Sequence, residues 1–162
     1  VIVVADTSPL SYLVRIGCDT VLPRLYGSVA IPHAVLDELL HPKAPLVVRQ
    51  WISSPPVWLR IESPLCAHRV EFQAIGIGEA EAIALAQQFD AQLLIDERLG
   101  SSIAVSLGVK VTGTLGVLVA SHELGLLRLN DAIVRLFTQT NFRLSAKARA
   151  AFLEEHKISI DL

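Results

Sequence analysis

Along the chain, short apolar runs alternate with stretches in which apolar residues recur every three or four positions. "VIVVA" at 1–5 is an unbroken apolar run, the pattern of a strand buried on both faces. A helix is predicted over 8–16, where Pro9 falls in the first turn and its missing N–H costs no intrahelical bond. A second helix over 19–26 leads through Gly27 into a strand over 28–31. Pro32 opens a helix to 41, and the turn at 42–45 precedes another that ends near 53 at Ser-Ser-Pro-Pro. A strand over 57–61 follows, and 62–75 reads as irregular. The remainder predicts helices over 79–89, 98–107, 115–124, 130–138 and 145–155, with strands over 92–95 and 109–111. Strands separated by helices imply a parallel sheet covered on both faces, a doubly wound α/β layer. At 162 residues, without repeats, low-complexity tracts or a linker, one domain over 1–162 is expected.

Composition changes this picture in two places. Hydrophobic residues make up 52% of the chain and mean hydropathy is +0.50, above the roughly 45–50% apolar content of ordinary domains. The most apolar region, 103–127, is interrupted by Lys110, His122 and Glu123, so no spanning helix is expected. The start has no basic region followed by a small-residue cleavage site, and a cytoplasmic protein is expected. The apolar excess points instead to a surface hidden in a homodimer or higher oligomer, or in another partner. Net charge of −2 gives no sign of nucleic-acid binding, which favours basic domains. Cys18 and Cys66 sit in apolar stretches without metal-ligand spacing and are expected to be buried thiols. The five histidines are scattered and support no histidine-based mechanism.

The candidate chemistry lies in the acids. Asp6 closes the first apolar run and Asp96 closes the fourth, in "LLIDERLG". A lone strand-end aspartate is as readily a helix cap as a ligand. In a sheet ordered 3-2-1-4-5, however, strands 1 and 4 meet where the order reverses, the crevice in which such layers bind ligands. In "IPHAVLDELLH", Glu38 lies one turn beyond Ala34 and Val35, beside the apolar stripe, and is favoured over Asp37 as the inward-leaning acid. In "GIGEAEAIALA", Glu79 opens the helix and Glu81 lies about 200° round it, so one of the two can face a site. Glu79 also suits the helix dipole. The Gly76-x-Gly78 pair lacks the third glycine and the preceding first strand of a dinucleotide fingerprint.

"VVADTSPLSYL", "IPHAVLDEL", "GIGEAEAIALA" and "LLIDERLG", in this order, resemble the PIN-domain family, which includes the VapC-type ribonuclease toxins of toxin–antitoxin pairs. The resemblance spans essentially the whole chain. It is closest to a subgroup with the "GEAEAIALA" helix, a glycine-rich segment over 107–118 and a C-terminal helical tail. It implies a five-stranded parallel sheet of order 3-2-1-4-5 with helices on both faces, a core over about 1–127 and an extension over about 128–162. It also implies a Mg²⁺- or Mn²⁺-dependent endoribonuclease, RNA as substrate and a cognate antitoxin as partner. By position, Asp6, Glu38, Glu79 and Asp96 become the catalytic and metal-binding acids, and Ser8 the small polar residue that orders them. Two departures stand out: Glu79 occurs where most relatives carry Asp, and Leu94 where Thr or Ser is common. Glu97 is available to supplement Asp96.

Two carboxylates about 4 Å apart repel by about 4 kcal/mol at an effective dielectric near 20, so four in one crevice call for a cation. An all-oxygen donor set suits Mg²⁺ or Mn²⁺. Arg98, beside the acidic end of the fourth strand, is the first candidate for holding a substrate phosphate, and Arg15 the second. A haloacid-dehalogenase-type phosphatase would need an acid where Ser8 stands, and a receiver domain a lysine where 112–114 read Thr-Gly-Thr. The main alternative is a PIN-like interaction module with a weakened site.

Overall fold

The computed structural model describes residues 2–160. Strands β1 (Ile2–Ala5), β2 (Ser28–Ile31), β3 (Leu59–Ile61), β4 (Gln92–Leu94) and β5 (Val111–Thr112) form a five-stranded sheet ordered β3-β2-β1-β4-β5. Every pairing is parallel. The order expected from the resemblance is the one found. Val1, predicted as the first residue of β1, lies outside the described residues, as do Asp161 and Leu162, the end of the expected domain.

Side chains alternate across the sheet because successive Cβ atoms of a strand point to opposite faces. Val3, Ala5, Val29, Ile31 and Leu94 enter one apolar cluster. Val4, Ala30, Leu93 and Ile95 enter the other. Helices α1 (Thr7–Arg15), α2 (Val21–Tyr26), α3 (His33–Leu40) and α4 (Leu46–Ser53) bury residues in the first cluster. The second is covered by α5 (Ile77–Gln88) and α6 (Arg98–Ser106). Helices α7 (Thr114–Glu123) and α8 (Leu129–Gln139) return to the first face.

Helix α9 (Ala146–Glu155) is held more loosely. It buries no residue fully, but Ser145 caps it by accepting from the Ala148 N–H at 3.1 Å, and Phe152 and Leu153 pack on the first cluster. The segment before it is anchored by Phe142, edge-on to Tyr12 with ring centroids 5.2 Å apart.

The structure departs from the sequence expectations at several places, β3 among them: it begins at Leu59, and Val57 and Trp58, expected within it, form a turn. β5 lies at Val111–Thr112 rather than over 109–111, because Val109 is drawn into the second cluster and its N–H bonds the Ala104 carbonyl instead. The irregular stretch contains a 3-10 turn, Val70–Ala74, which buries Phe72. Cys18 is buried as expected, but Cys66 is exposed, since the irregular segment carries it outside the core. Among the described residues no helix is long and apolar enough to cross a membrane.

Candidate active site

Because β1 ends at Ala5 and α1 starts at Thr7, Asp6 takes the N-cap position, where an aspartate ordinarily accepts from a first-turn N–H. Asp6 makes no such side-chain bond. It is 3% exposed, and its Oδ1 is buried without a hydrogen-bond partner. Burial pushes the carboxyl up to about 7, aided by Glu38, Glu79 and Glu97 and opposed by the Thr7 N–H. An unpaired buried acceptor costs about 1–3 kcal/mol, so capping is a poor account of this side chain.

Asp96 is differently placed. β4 delivers it beside the start of α7, where Thr114 donates its backbone N–H to Oδ1 and its hydroxyl to Oδ2, each at 2.7 Å. Burial raises its carboxyl, as does Glu97, while both Thr114 bonds lower it. Asp96 therefore fastens the first turn of α7 as well as standing in the crevice.

Glu38 is exposed on α3, and its Oε2 accepts from the Thr7 hydroxyl. Its Oε1 lies over Gly78, where a Cβ would stand 2.5 Å away. Asp37 is exposed on the same helix and is not among the charges acting on Asp6. Glu79, in the first turn of α5, rests Oε2 against Gly100 so closely that a Cβ there would collide. Burial raises the Glu79 carboxyl, with Glu97 and Glu38 adding to the shift and the Gly76 N–H opposing it. Glu81 turns elsewhere, its Oε2 accepting from the Ala34 N–H at 3.3 Å at the start of α3. Glu97 is exposed at the N-cap of α6 without a capping bond, and its charge reaches Asp6, Glu79 and Asp96 alike.

Three glycines make room for these acids: Gly78 for Glu38, Gly100 for Glu79, and Gly113, where a Cβ would lie 2.8 Å from Asp96 Oδ1. No basic group is among the charges that shift Asp6, Asp96 or Glu79. The ion pairs among the described residues, Arg60–Glu62 and Glu155–His156, involve none of them. Among the described residues, no cation is paired with these acids.

Whether a divalent cation suits this crevice can be tested on the donors. Asp6 Oδ1 is an orphaned, buried, hard oxygen, the glycines leave room for the other carboxylates, and a carboxylate that accepts one bond per oxygen retains lone pairs. In donor chemistry the residues suit such an ion. Their convergence is incomplete: among the described residues no group of three or more His, Cys, Asp or Glu is arranged to hold a metal as it stands.

Two cavities open near these residues; Asp96 and Glu97 line the first, no acid lines the second, and Asp6, Glu38 and Glu79 line neither. One, of about 530 Å³, is lined by Asp96, Glu97, Tyr12, Asn141 and Arg143. The other, of about 350 Å³, is lined by Thr7, Ser11, Arg15 and Lys43. Both are bordered by Ser8, Tyr12 and Asn141. Ser8 therefore faces the clefts, while the hydroxyls bonded to acids are those of Thr7 and Thr114. Arg98 is exposed and lines neither cavity, whereas Arg15 lines the second. The roles of Thr7 and Thr114 were open to sequence inspection, since each is a hydroxyl residue opening a helix just beyond a strand. Tyr12, Lys43, Asn141 and Arg143 carried no such signal.

A five-stranded parallel sheet in this order, with acids collected where the order reverses, defines a doubly wound α/β protein with an acidic site at its switch point. The family model described as DUF3368, PIN domain, matches residues 2–157, and the chain belongs to that family. The PIN domain is a nuclease fold whose members typically use divalent metal ions. A search of curated proteins found no match, nor did a search of solved structures.

Proposed function

We propose that the chain is a Mg²⁺- or Mn²⁺-dependent endoribonuclease and the toxin of a toxin–antitoxin pair, related to the VapC-type PIN proteins. The observation that carries the reading is Asp6: a buried carboxylate with an unpartnered oxygen, acted on by Glu38, Glu79 and Glu97 and by no basic group among the described residues. Asp6 and Asp96 would be the principal ligands, with Glu38 and Glu79 completing the set directly or through water. When bound, the ion acidifies a water and offsets charge on the attacked phosphate and the departing oxygen.

The chain's own residues supply orientation. Thr114 fixes both oxygens of Asp96. Thr7 bonds Glu38 on the exposed side of α3, and Glu38 would orient the attacking water and take its proton. The water oxygen bonds to phosphorus as the bond to the leaving nucleoside oxygen breaks. A cognate antitoxin and self-association in the cytoplasm belong to the same proposal, supported by the apolar excess. Exposed Val70 and Ile77, for example, border a groove of about 560 Å³.

A second reading, a PIN-like interaction module without catalysis, draws on the incomplete convergence of the acids. Calorimetric titration of Mn²⁺ into the metal-free protein and into Asp96→Asn separates the two. The nuclease reading expects binding that the substitution abolishes. Absence of binding to the unaltered protein would favour the module.

A further inference from the structure

Arg15 is half-buried, and it is restrained more than its place at the end of a helix requires. It ends α1, where the helix dipole alone would favour a cation. In addition, its Nη1 donates to Asn141 Oδ1 at 2.9 Å, and its guanidinium lies 5.8 Å from the centroid of the Tyr12 ring, within the range of a cation–π contact. Tyr12 is itself fixed edge-on by Phe142. The guanidinium is thus held at one nitrogen and one face, while its remaining N–H groups stay available on the wall of the 350 Å³ cavity. Lys43 reaches the same cavity from the turn between α3 and α4. Neither cation is among the charges acting on Asp6, Asp96 or Glu79, and neither is in an ion pair of the described residues.

Two cations without an acidic partner, on a cavity that borders the acidic one at Ser8, Tyr12 and Asn141, match an anion lying a short way from the carboxylates. A nucleic-acid strand offers that spacing of charge, one phosphate after another along its backbone. We infer that Arg15 and Lys43 form a phosphodiester-binding subsite, with Asn141 and Tyr12 positioning Arg15, that holds a backbone phosphate neighbouring the one at the acids. This rests on the nuclease reading for its geometry and deepens it. It also answers how a chain of net charge −2 engages RNA: positive charge is concentrated in the groove and preorganised there, which limits the ordering cost of binding. The segment before α9 thereby becomes a wall of the substrate cleft through Asn141.

The test is fluorescence anisotropy of a labelled oligouridylate with the full chain in EDTA over a series of salt concentrations, comparing Arg15→Gln, Lys43→Gln and Asn141→Ala. Arg15→Gln and Lys43→Gln are expected to weaken binding several-fold and to reduce the salt slope by about 0.7 for each lost phosphate contact. Asn141→Ala, which removes no charge, is expected to weaken binding with a slope close to that of the unaltered protein. With Mn²⁺ present, all three should raise KM more than they lower kcat. Lys43→Gln changes an exposed side chain, so its reading is independent of any disturbance around Arg15. Unchanged affinity and slope in both charge variants would overturn the subsite, even if the unaltered protein cleaves RNA. Weakened binding in a protein that cleaves no RNA would uphold the subsite while removing the nuclease reading.

Discussion

Thr114 grips Asp96 with two donors at once, its backbone N–H on Oδ1 and its hydroxyl on Oδ2, each at 2.7 Å. Thr114 is fully buried, so valine fills the same space but leaves one carboxylate oxygen without its donor. A hydrogen bond to a charged group contributes about 1.5–3 kcal/mol, and Thr114→Val should lose about that much in urea unfolding at neutral pH. Thr114→Ser, which keeps the hydroxyl, should recover most of it. A valine variant as stable as the unaltered protein would show that Asp96 does not depend on this clamp.

Asp6 gives the metal-free protein an inverted pH dependence. Its carboxyl is raised from 3.8 to about 7 in the folded state. Between those values the folded protein holds a proton that the unfolded chain has released, so stability falls as pH rises through the window. Over the whole span the effect amounts to about 4 kcal/mol. Asp6→Asn removes it: in EDTA the variant should melt higher than the unaltered protein at about pH 8 and show little difference at about pH 4. If the asparagine variant melted lower at both, Asp6 would be a structural element after all.

Gly78 separates placement of the site from stability. A Cβ there would stand 2.5 Å from Glu38 Oε1, the far end of an exposed side chain that can swing away. Alanine also favours a helix over glycine by up to about 1 kcal/mol. Gly78→Ala should therefore leave the melting temperature unchanged or slightly raised while weakening Mn²⁺ binding in calorimetry. A clear loss of melting temperature with Mn²⁺ binding intact would mean that the glycine serves packing alone.

The central strands β1, β2 and β4 were legible because they are buried on both faces and so read as apolar runs; β2 is found at the predicted 28–31. β5 is short, and Val109 serves the core outside the ladder, so its register was hidden. Asp6 and Asp96 were legible as strand ends. Helical spacing required Glu79 and Glu81 to diverge but could not tell which faces the crevice. That depends on which helix packs beside each: α3 meets Glu81 through the Ala34 N–H, and α6 meets Glu79 through Gly100. Arg15 and Asn141 are 126 positions apart, and only tertiary packing joins them.

The central claim is that Asp6 ends its strand in order to hold a catalytic metal. It is tested most directly by incubating a mixed set of structured RNAs with the unaltered protein and with Asp6→Asn, in Mg²⁺, Mn²⁺ or EDTA. Cleavage is expected from the unaltered protein with either metal, with none in EDTA and none by Asp6→Asn under any condition. Cleavage that persists in EDTA or in the asparagine variant, or no cleavage with either metal, would contradict it.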